Sequence, residues 1–295
     1  MRWREAKAAL RRRLPGGRLR SESTLKVLQD IRWELREQRK YLEALRQVAI
    51  SDVLGDVQRF AAERELTLEQ TMERLIEERV SFARFGDGEF RLMLRPEFNL
   101  RFQKWTPGLA ADLRSVLGFE GLDPDRLMLS FPYPLRGMYW STVWPDIWPD
   151  LKPLLGTSVM YGSTHVTRPL FFEHLGSRGV ELWRKVWDGQ QVCVVTGEDS
   201  RFSLIPQLFD GIAGSRFVRS TPTNAYADLP RLMKVLEAED PDQLYLVALG
   251  PAGTLAAAWL SGMGRRAIDV GHISNSWAKV FAGGKMPEQL DVRLP

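Results

Sequence analysis

Apolar residues in this chain fall in short runs separated by longer polar and amphipathic stretches. The runs lie at Val80–Arg84, Leu127–Phe131, Ser158–Tyr161, Gln191–Val195, Phe217–Arg219, Leu244–Leu249 and Ala267–Val270. Each has strand length, and the segments between them have helix length. Strands alternating with helices predict an α/β fold: a mostly parallel sheet with helices on both faces. Residues 51–295 read as one such domain, with an additional helical stretch over Leu66–Glu78 before the first strand.

The first fifty residues follow a different pattern. Residues 22–50 contain no Gly or Pro, and Leu28, Ile31, Leu35, Leu42, Leu45 and Ala49 follow a heptad spacing with Gln38 at one inner position. Two readings fit: a coiled coil that joins two chains into a homodimer, or a helix packed on its own domain. Residues 1–21 read as a basic, disordered tail broken by Pro15-Gly16-Gly17.

The whole chain of 295 residues carries +4, but residues 1–20 hold eight Lys or Arg against Glu5, a net of +7, so the remainder carries −3. A basic nucleic-acid-binding face on the folded part is therefore not expected. The tail suits an anionic membrane surface instead, where each Lys or Arg gains about 1 kcal/mol. No apolar stretch of signal-peptide length follows the basic start, so none is expected. Leu244 to Gly264 runs for 21 residues without a charge. Gly250-Pro251-Ala252-Gly253 would break a membrane helix at its middle, so a strand followed by a short helix is expected. The single cysteine, Cys193, rules out an internal disulfide framework and suits a reducing, cytoplasmic compartment.

Ligands of open α/β sheets bind beyond the carboxyl ends of the strands. The loops expected there are GDGE, YGSTHVTRP, TGEDSR, TPTNAY, GPAGT and GHISNS. All are rich in Gly, hydroxyl residues, Asn, Arg or His, more than turns alone require. Asp87 and Glu89 flank Gly88, and in an extended chain they would point the same way. Two such carboxylates suit Mg²⁺ or Mn²⁺, which keeps waters and takes the rest of its shell from substrate phosphates. An acidic surface loop is the alternative. Gly250–Thr254, between a strand and a helix, could turn backbone N–H groups toward an anion. It lacks the ending of a P-loop and the spacing of a dinucleotide fingerprint. Thr167-Arg168 and Ser200-Arg201 each set a hydroxyl beside a guanidinium, a pairing that suits phosphate oxygens. His272 could bind ligand, act as a base or hold a loop. His165 is a weaker candidate of the same kind, and His174 reads as structural. Trp140, Trp144 and Trp148 read as one packed helix face, with a wall for a sugar ring as the alternative.

Taken together, these segments resemble the GT-D glycosyltransferases. RFGDGEF at Arg84–Phe90 resembles that family's metal-binding D-x-E segment. STHVTRPLFF at Ser163–Phe172, VTGEDSRFSLIPQLFDG at Val195–Gly211, TPTNAY at Thr221–Tyr226 and ALGPAGTLAAAWLSGMGRRAIDVGHI at Ala248–Ile273 follow in the family's order. The resemblance covers roughly residues 70–280. It departs at Phe202–Pro206, where a Gly-rich, Asn-containing helix start is expected, and at Ser274–Trp277, where acidic and aromatic residues are expected.

The resemblance implies a Rossmann-like sheet and a metal-dependent enzyme. That enzyme would move a sugar from a nucleoside-diphosphate sugar to a glycan or lipid-linked glycan acceptor, in cell-envelope or surface-polysaccharide synthesis. A cytoplasmic location is expected, and the basic tail of residues 1–20, which lies outside the resemblance, would either hold the enzyme at the inner face of the plasma membrane or stay solvated. Asp87 and Glu89 would meet the metal, and His272 and Glu198 are candidates for the base or for sugar contacts. Candidate donor contacts are Arg84, Gly86, Thr167, Arg168, Ser200, Arg201, Asn224, Gly250, Pro251, Thr254 and Asp269. The alternative is a nucleotide-binding or scaffold protein of a polysaccharide assembly, without turnover.

Overall fold

The structure is a computed structural model in which residues 22–133, 139–156 and 158–290 are described. The expected basic tail over residues 1–21, and with it the membrane attachment it would provide, lies outside the described residues. The chain divides into two compact units, Met1–Asp52 and Val53–Pro295. In the first, α1 (Glu22–Ala49) is a single helix of 28 residues. Helix α2 (Ser51–Arg64) leads into the second.

The second unit is built on a seven-stranded sheet. Its strands are β1 (Ser81–Arg84), β2 (Leu127–Phe131), β3 (Gly162–Ser163), β4 (Gln191–Gly197), β5 (Gly214–Ser220), β6 (Leu244–Ala248) and β7 (Ala267–Asp269). They lie in the order β3-β2-β1-β7-β6-β4-β5, and every pair is parallel. Parallel strands need helical crossovers, and those helices bury both faces of the sheet. Side chains along each strand therefore divide between two cores. Leu127, Leu129 and Phe131 of β2, Cys193 and Val195 of β4, and Tyr245 and Val247 of β6 enter one. Met128, Val192, Val194, Leu244 and Leu246 enter the other.

Helices α4 (Asp87–Leu94), α5 (Pro107–Leu117), α6 (Trp140–Leu151), α10 (Ala225–Glu237) and α11 (Pro251–Gly262) close the first core. Helices α3 (Leu68–Glu73), α7 (Pro169–Leu175), α8 (Ser177–Trp187), the one-turn α9 (Pro206–Phe209) and α12 (Ile273–Phe281) close the second. Trp183 and Trp187 stack there at 5.0 Å between ring centroids, and each indole N–H donates to a backbone carbonyl. Buried indoles need such acceptors.

Four expectations are corrected. The run Ser158–Tyr161 is not the third strand. Tyr161 pairs with Glu65 in an isolated bridge, Met160 is exposed, and the sheet takes up Gly162–Ser163 instead. β5 extends well beyond Phe217–Arg219 because it is an edge strand with one face in water, so most of its residues are polar. The helix expected over Leu66–Glu78 starts at Leu68, because Thr67 caps it and shares a capping box with Gln70. It then widens into a π turn over Arg74–Glu78 and stops at Arg79, which is left-handed at φ 55°. His174 is not a packed residue but an exposed one, 4.0 Å from Glu69. The charge-free run from Leu244 forms β6 and α11, separated by Gly250 at φ 58°, and no described helix is long and apolar enough to cross a membrane.

Candidate active site

Strand order reverses direction at β1. From β1 the chain builds outward through β2 and β3, then returns to fill the other side with β4 to β7. Loops leaving β1 and β7 diverge at such a switch point and leave a crevice. A cavity of about 990 Å³ opens there, at the upper end of the range for ligand clefts. All six loops singled out from the sequence contribute to its wall.

At its floor, Arg84 ends β1 and Asp269 ends β7, with Nη1 and Oδ1 3.6 Å apart. Asp269 is buried and Arg84 is half-buried. Thr254 Oγ1 of α11 donates to the Arg84 carbonyl at 2.7 Å and fixes the turn from behind. Gly271 donates to Asp269 Oδ1 at 3.0 Å. Gly271 is left-handed at φ 47°, and a methyl group there would overlap the Arg84 guanidinium.

The Asp87–Glu89 pair is not extended but forms the first turn of α4. Gly86 is the N-cap, and its N–H donates to Glu89 Oε2 at 2.8 Å, so the carboxylate caps its own helix. Residues two apart on a helix lie about 200° apart around its axis. Both nevertheless line the cavity. Asp87 Oδ2 accepts a hydrogen bond from Tyr139, and burial and that partner together push the phenol up to about 12. Burial pushes the Glu89 carboxyl up to about 7. Two backbone N–H bonds and the Arg84 charge resist that rise, while Asp269 adds to it. Burial likewise pushes Asp269 up to about 6, against the pull of Arg84.

The same cavity is lined by cations. Arg168 is lowered to about 10, by burial first and then by Arg84. Glu288 reaches in from a short C-terminal turn to pair with Arg168, and Arg201 Nη1 donates to the carbonyl of Pro287 at 3.3 Å. Burial lowers His272 to about 3 and His165 to about 4, with nearby arginines adding to both. Both imidazoles are neutral at pH 7, and His165 Nε2 is buried without a partner. Glu198 and Ser200 also face the cavity. Leu100, Phe102, Tyr139 and Trp140 give it one apolar side.

Four candidate contacts do not reach the wall. Thr167 is fully buried, donates to Thr164 O and accepts from Ser276 through its carbonyl. Asn224, left-handed at φ 51°, accepts from Lys104 N–H and donates to Phe102 O, and so holds the loop that carries Phe102. Pro251 and Thr254 are buried in the first turn of α11. Of Gly250–Thr254 only Gly250 lines the cavity, and Pro251 has no N–H to offer an anion. Trp144 and Trp148 are core residues, whereas Trp140 lines the cavity. Tyr139, Phe102 and Glu288 are site residues that the motifs did not mark.

Asp87 and Glu89 are the residues that could hold a divalent cation. Among the described residues no group of three or more His, Cys, Asp or Glu forms a closed cage. Two carboxylates in an open cleft fit Mg²⁺ or Mn²⁺, which complete their shell with water and phosphate oxygens. The Glu89 carboxyl, raised by burial in spite of the Arg84 charge nearby, is the donor such a cation would ionise.

The family described as the glycosyltransferase GT-D fold matches residues 82–292. The chain belongs to that family. It is 26% identical over 235 residues to the probable glycosyl transferase Gly of Streptococcus gordonii, covering 75% of this chain and 34% of that protein. It is 25% identical over 228 residues to glycosyltransferase GlyD of Streptococcus pneumoniae serotype 4, covering 74% of this chain and 28% of that protein. The chain thus spans about a third of the length of the curated relatives it matches. A solved structure described as domain of unknown function 1792 with a distinct glycosyltransferase fold superposes with TM-score 0.71, at 22% identity over 81% of this chain and 88% of that one. Another, described as a new glycosyltransferase from Streptococcus sanguinis, gives 0.66 at 26% identity over 75% and 85%.

The buried groups of this GT-D chain give its stability a definite pH dependence. His165 and His272 titrate below their ordinary 6.5 when folded. The unfolded chain then binds more protons as pH falls, so their contribution is complete above 6.5 and is lost on the way down to about 4 for His165 and about 3 for His272. Glu89 and Asp269 have the opposite sign: raised above 4.5 and 3.8, they favour the fold at low pH and lose that effect as pH rises toward about 7 and about 6. His272→Gln should therefore reduce the loss of Tm between pH 6.5 and 4. An unchanged slope would mean that the fold accommodates the imidazolium.

Proposed function

We propose that this chain transfers a sugar from a nucleoside-diphosphate sugar to a hydroxyl of a glycan or lipid-linked glycan acceptor, in the building of a cell-envelope or surface polysaccharide. The observation that carries the reading is that the Asp87–Glu89 turn and the guanidiniums of Arg84, Arg168 and Arg201 line one cleft at the switch point. Few ligands need clustered cations and paired carboxylates together, and a diphosphate with its counter-ion is one that does.

In the transfer, the bond from the anomeric carbon to the diphosphate oxygen breaks, and a bond to the acceptor oxygen forms. The nucleoside diphosphate leaves with the bonding electrons, and the acceptor hydroxyl gives up its proton. Asp87 and Glu89 would hold Mn²⁺ or Mg²⁺, which supplies charge neutralisation for the departing diphosphate. Arg84 and Arg168 lower the cost of that charge from the protein side. Tyr139 holds the Asp87 carboxylate in one orientation. Folded pKa values of about 3 and about 4 make His272 and His165 weak bases, which suits them to hydrogen bonds with sugar hydroxyls. Glu198, at the cavity wall, is then the candidate to receive the acceptor proton. Trp140 and Phe102 offer flat apolar faces for a base or a sugar ring.

The experiment is a panel of nucleoside-diphosphate sugars incubated with the chain and Mn²⁺. One or more should release nucleoside diphosphate slowly without acceptor and faster with an acceptor glycan. Tight binding of nucleoside diphosphate with no release from any donor would favour the non-catalytic scaffold reading instead.

A further inference from the structure

Helix α1 carries an apolar stripe that is regular along its length. Leu28, Ile31, Leu35, Leu42 and Leu45 are each between 46% and 64% exposed. Five large aliphatic side chains on one stripe are more than the scattered apolar residues of an ordinary surface. The helix of 28 residues is about 42 Å long, which accommodates four heptads. In heptad terms, Leu28, Leu35, Leu42 and Ala49 occupy a, and Ile31, Gln38 and Leu45 occupy d.

The flanking positions select the partner's direction. The e positions are Arg32, Arg39 and Arg46, and the g positions are Val27, Glu34, Tyr41 and Val48. In an antiparallel pair e faces e, which sets arginine against arginine along the seam. In a parallel pair g faces the e position five residues further on in the partner helix. Glu34 then meets Arg39 of the second copy twice by symmetry. Tyr41 meets Arg46, where the ring face attracts the guanidinium, and Val27 packs along the stem of Arg32. Gln38 decides the register: in a parallel, unshifted pair it faces its own copy and the two amides bond each other. A shift by one heptad would put each amide against an aliphatic side chain, without a partner.

We propose that α1 pairs with α1 of a second copy of this chain as a parallel, in-register, two-stranded coiled coil. The two catalytic units of the dimer then leave the coiled coil at the same end. The proposal does not depend on the sugar-transfer reading, because every readout below is a mass or a cross-link.

The full chain should run as a dimer in light scattering. Leu35→Asp combined with Leu42→Asp should run as a monomer with the thermal transition of its sheet domain unchanged. Ala49→Cys supplies the test of direction, since Cys193 is fully buried and gives no competing cross-link. Under mild oxidation Ala49→Cys should cross-link to itself, and Leu28→Cys likewise. Glu34→Arg should raise the dimer dissociation constant several-fold, and Glu34→Arg with Arg39→Glu should restore it. A monomeric full chain would overturn the proposal. So would cross-links that form only between Leu28→Cys and Leu45→Cys chains, an a–d pair that marks antiparallel pairing, or a dissociation constant indifferent to Glu34→Arg.

Discussion

Asp87→Asn should lose at least a hundredfold in donor hydrolysis and in transfer, while its melting temperature without metal stays within a few degrees of the parent. The amide keeps the shape of the side chain and an oxygen for the Tyr139 hydroxyl, so the packing around α4 is preserved. What goes is one negative charge beside the cation that faces the diphosphate. Charge stabilisation of that kind amounts to several kcal/mol, and each 1.36 kcal/mol is tenfold in rate. A readout independent of activity accompanies it: Mn²⁺ should raise the melting temperature of the parent in the presence of nucleoside diphosphate and leave that of the variant unmoved. Glu89→Gln separates charge from capping. Its amide oxygen still accepts from Gly86 N–H, so the turn survives while the second anionic donor is lost. Parent-like turnover by Asp87→Asn, or by the parent in excess chelator, would remove the metal from the reading.

The second large effect is expected at a residue without a side chain. Gly271→Ala places a methyl group into the Arg84 guanidinium, at a left-handed backbone position where alanine already costs about 1–2 kcal/mol. Arg84 is half-buried, with its Nε enclosed and its Nη1 beside Asp269, so displacing it breaks that pair. The guanidinium has to leave the floor of the cleft, and donor affinity and turnover should both collapse. Gly121→Ala is the control, because it is left-handed at φ 70° with nothing within 4 Å. It should share the backbone cost and keep full activity. Equal activity in the two variants would show that the placing of Arg84 by Gly271 does not matter to the reaction.

The sequence made the sheet easy to read where strands are buried on both faces. Leu244–Ala248 is an unbroken apolar run and Leu127–Phe131 one interrupted only by Ser130, and their limits are legible to within a residue. β5 was read short because only alternate residues of an edge strand meet the core, and β3 was misplaced because two residues give no periodicity. The site was legible as a set of loops because strand order determines where loops meet. Which side chains in those loops face the cleft was less legible. Thr167 and Thr254 look like phosphate ligands in the sequence, and both spend their hydroxyls on backbone carbonyls. Asp87 and Glu89 read as an extended pair, but Gly86 starts a helix at that point. Tyr139 and Glu288 come to the site across long stretches of chain, and a contact of that kind leaves no local mark.

Strand order also dictates when the cleft can exist. β1, β2 and β3 are consecutive and can pair as soon as they leave the ribosome. The inner edge of β1 has to wait for β7: Ala267 N–H donates to Ser81 Oγ across 186 residues of sequence. Until then Phe82 and Ala83 lie beside an open row of backbone donors and acceptors, the condition under which nascent chains stick to one another. Arg84 and Asp269 sit at the ends of those two late-meeting strands, so the groove between them is among the last parts of the molecule to be assembled.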